Sequence, residues 1–227
     1  MKLTHFLLTT PITFLDDKTC VLQVESQKLF LQFVENLHER SDGETGDGFQ
    51  IYDGCNDYEF SKDVIVLSDI FHLCEFNKKL NIKLQKNILQ LFAKDIEAQK
   101  LFLQLSQQLI ALVNSTTDKI DVPTEMSMDI QFQDFIKLLN ISFANIENST
   151  LGKLVDFINI ISEFNLCKVL VLINIKCYFS DVQLEELFLH CKYKKIELLL
   201  LEHFNDVRTL KTEKRTIIDC DLCEIAL

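Results

Sequence analysis

Hydrophobic positions follow two different periods along the chain. Short apolar runs, such as Val64–Leu67, Val169–Ile173 and Ile196–Leu201, predict buried strands. Between residues 70 and 113 apolar residues instead recur every three or four positions without Gly or Pro, which predicts long helices. The pattern therefore indicates an α/β chain in which a helical segment interrupts the strands.

The N-terminal part predicts strands around one helix. Thr19–Val24 has the composition of a strand, and a helical pattern follows it. Further on, Phe49–Tyr52 and Tyr58–Phe60 flank Asp53-Gly54, a dipeptide that favours a tight turn. We therefore expect a β-hairpin over residues 49–60.

The C-terminal part predicts a parallel pair of strands. Ser180-Asp181-Val182-Gln183 has the spacing of a capping box and opens a helix between two of the apolar runs. A strand, a helix and a strand over residues 169–201 form a βαβ unit, whose strands are parallel. The predicted organisation is an α/β sheet domain of residues 1–69 and 146–227, with an α-helical insertion domain of residues 70–145.

Composition and charge narrow the class of protein. Apolar residues make up 48% of the 227 positions, which supports a sizeable core and excludes wholesale disorder. The longest nearly pure apolar run, Lys168–Ile175, is too short for the roughly 20 residues that a bilayer requires. We expect a cytoplasmic chain with no membrane partner. Its net charge of −11 argues against a surface coated in positive charge.

Two motifs of known chemistry are incomplete. The glycine cluster at Gly43, Gly46 and Gly48 lacks the Lys of a phosphate-binding loop, and its carboxylates would repel phosphate. Cys220-Asp-Leu-Cys223 has no second Cys pair, which a structural zinc site usually needs. Neither nucleotide hydrolysis by such a loop nor a zinc site is expected.

Carboxylates are dense around Pro123. Five of them lie within seventeen residues: Asp118, Asp121, Glu125, Asp129 and Asp134. Hard cations such as Ca²⁺ bind carboxylate oxygens on irregular loops, so a divalent-ion site is one interpretation. A solvated acidic linker is the other, since the spacing is not that of an EF-hand.

Basic residues are concentrated in three places. The first set lies at the start of the helical segment and contains Lys78, Lys79, Lys83 and Lys86, of which the last three share a helix face. The other two sets are Lys192, Lys194 and Lys195, and then Arg208, Lys211, Lys214 and Arg215. Residues 39–63 carry eight acids against two bases, so charge is segregated. Ordinary solvated faces or a basic groove are both compatible with this pattern.

Several short segments, taken in order, are similar to one known family. They are V-I-V-L-S-D-I at residues 64–70, N-I-L-Q-L-F-A-K-D-I-E-A-Q at 87–99, D-F-I-K-L at 134–138, residues 168–187, and I-I-D-C-D-L-C-E-I at 217–225. Together they span most of the chain. In this order the chain resembles the small accessory adaptation protein of type II-A CRISPR systems.

The resemblance implies a fold and a function. The implied fold is a partly parallel sheet domain resembling a P-loop ATPase core without the nucleotide loop, with a helical insertion. The implied function is non-catalytic: a homotetrameric ring that binds double-stranded DNA, mainly at ends, during spacer acquisition. Other CRISPR adaptation proteins, the integrase complex and the effector nuclease, are the implied protein partners.

The resemblance also implies site residues. Structural calcium near the junction of the two parts is implied, and the acids that fit best are Asp121, Glu125, Asp129 and Asp134. The lysines expected to contact DNA are Lys78, Lys79, Lys83, Lys86 and Lys137, the last within the matched D-F-I-K-L segment.

Two alternative functions remain open from the residues. One is a divalent-metal-dependent nuclease that uses Asp118, Asp121, Glu125 and Asp129, since clustered carboxylates also serve such enzymes. The other is a protein-only scaffold of the adaptation complex, in which Phe-rich helices bind partner helices. Cleavage of DNA with Mg²⁺ or Mn²⁺ would favour the nuclease, and a loss of all DNA affinity at low salt would favour the scaffold.

Overall fold

The computed structural model describes residues 1–14, 17–45, 47–54, 58–123, 125–126, 129–143, 148–203 and 209–227, with only the backbone at residues 74–79. The chain divides into two compact units. The first, the sheet unit, consists of Met1–Leu73 and Asn145–Leu227; the second, the helical unit, is Cys74–Ala144. The breaks predicted from the sequence fall after residues 69 and 145.

Strands and helices follow one another along the chain. In order, the elements are β1 (Lys2–Thr4), β2 (Ile12–Thr13), β3 (Thr19–Val24), α1 (Gln27–Ser41), β4 (Gln50–Tyr52), α2 (Phe60–Asp63), β5 (Val64–Leu67), α3 (Cys74–Lys94), α4 (Ile96–Thr117), α5 (Phe132–Leu138), α6 (Thr150–Glu163), β6 (Val169–Ile173), α7 (Asp181–Tyr193), β7 (Glu197–Glu202), β8 (Glu213–Ile218) and β9 (Glu224–Ala226). The helical unit contains α3, α4 and α5.

The sheet unit is built on a six-stranded sheet of order β5-β6-β7-β3-β8-β9. The first five strands are parallel, and β9 pairs antiparallel with β8 at the edge. In this register Val21 of β3 lies between Leu200 of β7 and Arg215 of β8. The prediction of an α/β chain with a partly parallel sheet is confirmed, while the likeness to a P-loop ATPase core stays a prediction.

Both faces of the sheet are covered. One core cluster joins Phe33 and Leu37 of α1 to alternate strand residues such as Leu22, Val171 and Leu199. The intervening strand residues, among them Leu170, Leu172, Leu198 and Leu200, are equally buried. Because successive strand residues point to opposite faces, these intervening residues must be buried by other elements on the second face of the sheet. Helices α6 and α7, whose buried residues are absent from the first cluster, bury them.

The βαβ unit predicted over residues 169–201 is confirmed. Strands β6 and β7 are parallel, and α7 connects them. The helix opens with the expected capping box: the Gln183 N–H donates to the Ser180 hydroxyl at 3.4 Å, and the Ser180 N–H donates to Gln183 Oε1 at 3.0 Å. Local sequence therefore fixes where this helix begins.

The hairpin predicted around Asp53-Gly54 is wrong. Instead, β4 joins a separate three-stranded antiparallel sheet of order β2-β1-β4, with Ile51 opposite Leu3. Phe60 begins the short helix α2, in which the Asp63 carboxylate accepts the Glu59 N–H at 2.9 Å. Burial of Ile51 and Leu3 in the first core cluster outweighs the local turn signal.

The helical unit consists of the long helices that the sequence predicts. Asp95 separates α3 from α4, and its carboxylate caps α4 by accepting the Ala98 N–H at 3.0 Å. Phenylalanines connect the helices, and the rings of Phe92 and Phe132 stack with centroids 3.8 Å apart. No helix within the described residues is long and apolar enough to cross a membrane.

Candidate nucleic-acid and metal sites

The lysines at the start of the helical segment lie on α3. Lys83 and Lys86 are exposed, and neither forms an ion pair in the described part of the chain. Lys78 and Lys79 are on the same helix, but their side chains lie outside what the structure describes. The helical spacing of residues 79, 83 and 86 puts them on one face. The exposed ammonium groups of Lys83 and Lys86 suit phosphate oxygens.

Lys137 is exposed on α5, one turn from a predicted metal ligand. Its Nζ atom lies 3.5 Å from Asp134 Oδ1, and each side chain is 61% exposed. An exposed pair of this kind contributes little to stability, so either partner can exchange it for another contact. The structure thus joins one predicted DNA contact to one predicted calcium ligand.

The remaining carboxylates around Pro123 are also at the surface. Asp118 is the C-cap of α4, and Asp121, Glu125 and Asp129 are exposed. The Asp129 carboxylate accepts a hydrogen bond from Gln131 Nε2 at 2.6 Å.

The donor chemistry of these acids suits calcium, but their grouping is incomplete. Carboxylate oxygens are the ligands that Ca²⁺ prefers. Over the residues described here, with 124, 127 and 128 outside them, no three His, Cys, Asp or Glu side chains are grouped to hold a metal ion. The calcium site therefore stays a prediction.

One member of the third predicted basic set does not lie on a solvated face. Arg215 lies in β8 with 2% of its surface exposed, and its Nε atom donates to Glu213 Oε1 at 3.0 Å. Lys214 is half-buried, Lys211 is exposed, and Arg208 lies outside the described residues. Arg215 therefore contributes to the interior rather than to a basic surface.

Arg215 belongs to a buried ion cluster that sequence reasoning missed. The Lys176 ammonium donates to Glu213 Oε2 at 2.9 Å, and Arg215 also donates to Gln23 Oε1 at 3.3 Å. The Glu202 carboxylate accepts the backbone N–H of Lys176 at 3.1 Å. Two cations and two carboxylates thus connect β3, β7 and β8 to the segment after β6. The one signal in the sequence is the charge of Glu202 at the end of the leucine run of β7.

The lone Cys pair lies in the turn between β8 and β9. Cys220 and Cys223 are both exposed and free, and the Cys223 N–H donates to Asp219 Oδ1 at 2.8 Å. Partial desolvation at the surface and then the nearby Glu25 carboxylate raise the pKa of Cys220, which keeps the thiol protonated at neutral pH. These features are those of turn thiols.

Comparison with known proteins places the chain in a family. A family model described as "CRISPR-associated protein (Cas_Csn2)" matches residues 48–222. The crystal structure of Stu0660 of Streptococcus thermophilus superposes with a TM-score of 0.58 at 15% identity, covering 100% of this chain and 76% of that one. At this identity the superposition shows a shared fold. No curated protein sequence matches the chain. The chain belongs to the Cas_Csn2 family of CRISPR-associated proteins, which confirms its resemblance to the accessory adaptation protein of type II-A CRISPR systems.

Proposed function

We propose that the protein is a non-catalytic, sequence-independent binder of double-stranded DNA ends that acts as a homotetrameric ring during spacer acquisition in the cytoplasm. The observation that carries this proposal is the surface of the helical unit. It exposes Lys83 and Lys86 on α3, which form no ion pair with the described residues, and a leucine stripe on α4. The lysines can bind DNA phosphates, and the leucines can pack against other copies of the chain.

The lysine face supports binding to the DNA backbone. Duplex DNA carries one phosphate charge per roughly 1.7 Å of its axis, so each lysine that reaches a phosphate releases a counterion. Such contacts carry no sequence information. Lys83 and Lys86 are both exposed and lie on one face of α3, in a chain whose net charge is −11.

The leucine stripe supports assembly. Leu101, Leu105 and Leu112 follow one another at helical spacing on α4, and Leu112 is 63% exposed. Soluble monomers rarely leave contiguous apolar patches of this kind in water. Pairing of two α4 helices would bury the stripe on both copies and supply one of the interfaces that a tetramer needs.

The sheet unit supports a scaffolding role without nucleotide chemistry. We infer that its five parallel strands correspond to a P-loop ATPase core that lacks the nucleotide loop, because the glycine cluster of this chain carries no lysine. The integrase complex and the effector nuclease are the protein partners that we propose for this scaffold.

The DNA-binding part is tested by charge reversal on α3. We expect Lys83→Glu/Lys86→Glu to weaken binding of a fluorescent linear duplex by about tenfold or more and to reduce the salt dependence of binding. The matched control is Lys28→Glu/Lys168→Glu, which reverses two exposed lysines of the sheet unit. Equal losses in both variants would contradict a role for the α3 face.

The preference for ends is tested on DNA without ends. A closed ring must thread from an end, so a covalently closed minicircle should bind far more weakly than a linear duplex of the same sequence. Equal affinity for the minicircle and the linear duplex would contradict binding by threading from an end. Cleavage of either DNA with Mg²⁺ or Mn²⁺ would favour the nuclease, and no affinity at low salt would favour the protein-only scaffold.

Calcium is proposed as a structural ion of the helical unit. Asp121, Glu125, Asp129 and Asp134 are the candidate ligands, and calcium would offset part of their mutual repulsion. Light scattering should show the mass of a tetramer with calcium and a smaller mass after a chelator is added. Asp121→Asn/Asp129→Asn should give the smaller mass even with calcium. An unchanged mass in all conditions would contradict a structural role for the ion.

A further inference from the structure

A cavity of about 520 Å³ lies in the sheet unit, between α7 and the first residues of β3 and β7. A helix is roughly 10 Å wide and strands are about 4.8 Å apart, so two helices such as α6 and α7 cover about four strands of one sheet face. Helix α7 connects β6 to β7, whereas β3 and β8 lie beyond β7 in the sheet. The cavity therefore lies where the sheet extends past this helix, and we call it the α7 cavity.

The inner wall of the α7 cavity is apolar. Phe188 and Cys191 line it from α7, and Ile196 and Leu198 line it from the chain that enters β7. Each of these side chains is buried in the structure. Burial also raises the pKa of Cys191 to about 12, so its thiol adds no negative charge to the wall. Cavities of roughly 300–1,000 Å³ with mainly apolar walls are typical of small-molecule sites, and a flat aromatic body can pack against the Phe188 ring.

Three lysines surround this wall. Lys18 lies just before β3, Lys192 in the last turn of α7, and Lys195 just after that helix. All three are exposed, and none forms an ion pair with the described residues. The helix dipole favours lysines at the end of α7, but Lys18 comes from a different element. Ammonium groups beside an apolar wall are suited to a ligand that carries a carboxylate on an apolar body.

The backbone of Lys195 gives independent support. Its φ of +57° lies in the left-handed region, where glycine is the usual residue at a helix end. The Lys195 N–H donates to the Lys192 carbonyl and the Ile196 N–H to the Cys191 carbonyl, each at 3.0 Å, which is the Schellman arrangement. The chain thus keeps a lysine where glycine would be less strained. Backbone strain of this kind is concentrated at ligand sites.

Three carboxylates also line the α7 cavity: Asp17, Glu185 and Glu197. Glu185 lies two turns of α7 before Lys192, about 10 Å along the helix axis, which separates it from the end of the helix. Because lysines and carboxylates are equal in number, we expect an anion to bind at the end of α7, where Lys192 and Lys195 are two of the lining residues.

We propose that the α7 cavity binds a small aromatic carboxylate. The aromatic body packs against Phe188 and Leu198, and its carboxylate accepts hydrogen bonds from the ammonium groups of Lys192 and Lys195. All of these residues belong to the sheet unit, whereas the lysines proposed to contact DNA lie in the helical unit. The site therefore does not depend on the proposed DNA binding.

The first test compares three ligands that share one apolar body. Isothermal titration calorimetry on the full chain measures binding of 2-naphthoate, 2-naphthylmethanol and 2-naphthylmethylammonium. We expect 2-naphthoate to bind with a Kd on the order of 100 μM, and about tenfold more tightly than either of the others. General attraction to a chain of net charge −11 would favour the cation instead, so a preference for the anion indicates a specific site.

The second test locates the anion within the cavity. Lys192→Gln/Lys195→Gln should weaken 2-naphthoate binding by about tenfold, because it removes both ammonium groups. Lys28→Gln/Lys168→Gln removes two exposed lysines outside the cavity lining, gives the same net charge, and should keep the wild-type affinity. Glu185→Gln should tighten binding by about two- to threefold, since it removes a repelling carboxylate.

Lys195→Gly separates a binding role from a structural one. Glycine relieves the left-handed backbone, so the urea midpoint should rise. Loss of the side chain should nevertheless weaken 2-naphthoate binding by about fivefold. A lysine that serves only the helix end would give the opposite result, a lower midpoint with unchanged affinity.

The outcomes are independent of the proposed DNA binding. A preference for 2-naphthoate that is lost in the two Lys195 variants supports the site, and Lys83→Glu/Lys86→Glu should retain it whatever happens to DNA affinity. The proposal is overturned by an absence of binding up to about 5 mM or by equal affinities for the three ligands. Equal losses in Lys192→Gln/Lys195→Gln and in its control also overturn it.

Discussion

The two units of the chain treat their apolar residues differently. In the sheet unit the strands β6 and β7 are almost fully buried, and residues such as Leu172 and Leu200 have no exposed surface. Among the described residues of the helical unit only Leu80, Ser106 and Ile136 are buried, although α3 and α4 are rich in leucine. The sheet unit is thus stabilised mainly by its own core. The helical unit keeps apolar surface available for other molecules.

The comparison suggests that stability and assembly are separable in this protein. Substitutions in the core of the sheet unit should act on the free energy of unfolding, because they remove buried contacts. Substitutions on the exposed leucines of α4 should act on molecular mass, because those side chains contact little within the chain. Each of the following variants tests one side of this division.

The largest loss of stability is expected from the buried ion cluster. Glu213→Ala leaves the ammonium of Lys176 and the guanidinium of Arg215 buried without their common carboxylate, at a cost of about 3–5 kcal/mol. Urea unfolding followed by circular dichroism measures this cost. Glu163→Ala at the exposed end of α6 is the control and should change stability by less than about 0.5 kcal/mol. A loss below about 1 kcal/mol for Glu213→Ala would contradict a structural role for the cluster.

The next effect compares one leucine from each unit. Leu172→Ala removes a fully buried side chain from β6 and should cost about 2–5 kcal/mol in urea unfolding. Leu105→Ala on α4 should change monomer stability by less than about 0.5 kcal/mol, since the side chain is about half exposed. It should instead lower the oligomer mass. Similar stability losses for both leucines would show that the units do not differ in the way described.

Helix caps should give smaller losses that are alike in both units. Ser180→Ala removes the cap of α7 and Asp95→Ala that of α4, and each should cost about 1 kcal/mol. Chemical denaturation of the two variants is the measurement. Because a cap acts on backbone N–H groups of its own helix, it does not depend on a deep core. A negligible loss for Asp95→Ala alone would indicate that the helical unit unfolds before the sheet unit.

The smallest effect is expected from the pH dependence of one histidine in the sheet unit. His5 is buried, its Nδ1 accepts the Leu7 N–H at 3.1 Å, and its Nε2 lies 2.9 Å from Asn36 Oδ1. Burial lowers the pKa of His5, against a smaller opposing contribution from Asn36. As the pH falls through about 6.5, His5 therefore takes up a proton in the unfolded chain, whereas the folded chain takes it up only at lower pH.

This difference fixes the sign of the pH effect. The contribution of His5 to stability is complete above about pH 6.5 and declines as the pH falls below that value. Urea unfolding of wild type and His5→Gln at pH 8, 7, 6 and 5 should show a steeper loss at acidic pH in the wild type. Parallel losses in the two proteins would assign the acid sensitivity to other groups.

Sequence predicts this protein best where local chemistry and burial agree. The apolar run of β6 and the capping box of α7 each specify one structure, and both were predicted at the observed positions. Asp53-Gly54 instead has a strong local turn signal, but the pairing of Ile51 with Leu3 involves residues 48 positions apart. Periodicity within a short window contains no information about that partner.

The candidate sites are less accessible to sequence reasoning, because they depend on which side chains meet. The shared face of Lys83 and Lys86 follows from helical spacing alone, and the structure leaves both exposed. Arg215 and Glu213 resemble solvated residues in the sequence, yet they are buried because Lys176, from a distant segment, completes their charge balance. Only the tertiary fold reveals such compensation.

The position of β3 in the sheet has a consequence for biosynthesis. This strand is made early, but its two neighbours, β7 and β8, end at Glu202 and Ile218. During translation the edge of Thr19–Val24 that pairs with β7 therefore stays unpaired for roughly 180 further residues, and the edge that pairs with β8 for roughly 195, including the whole helical unit. Unpaired edges of an apolar strand attract other unfinished chains. Ribosome pausing before residue 218, or truncation there, should therefore produce aggregates rather than a smaller folded protein.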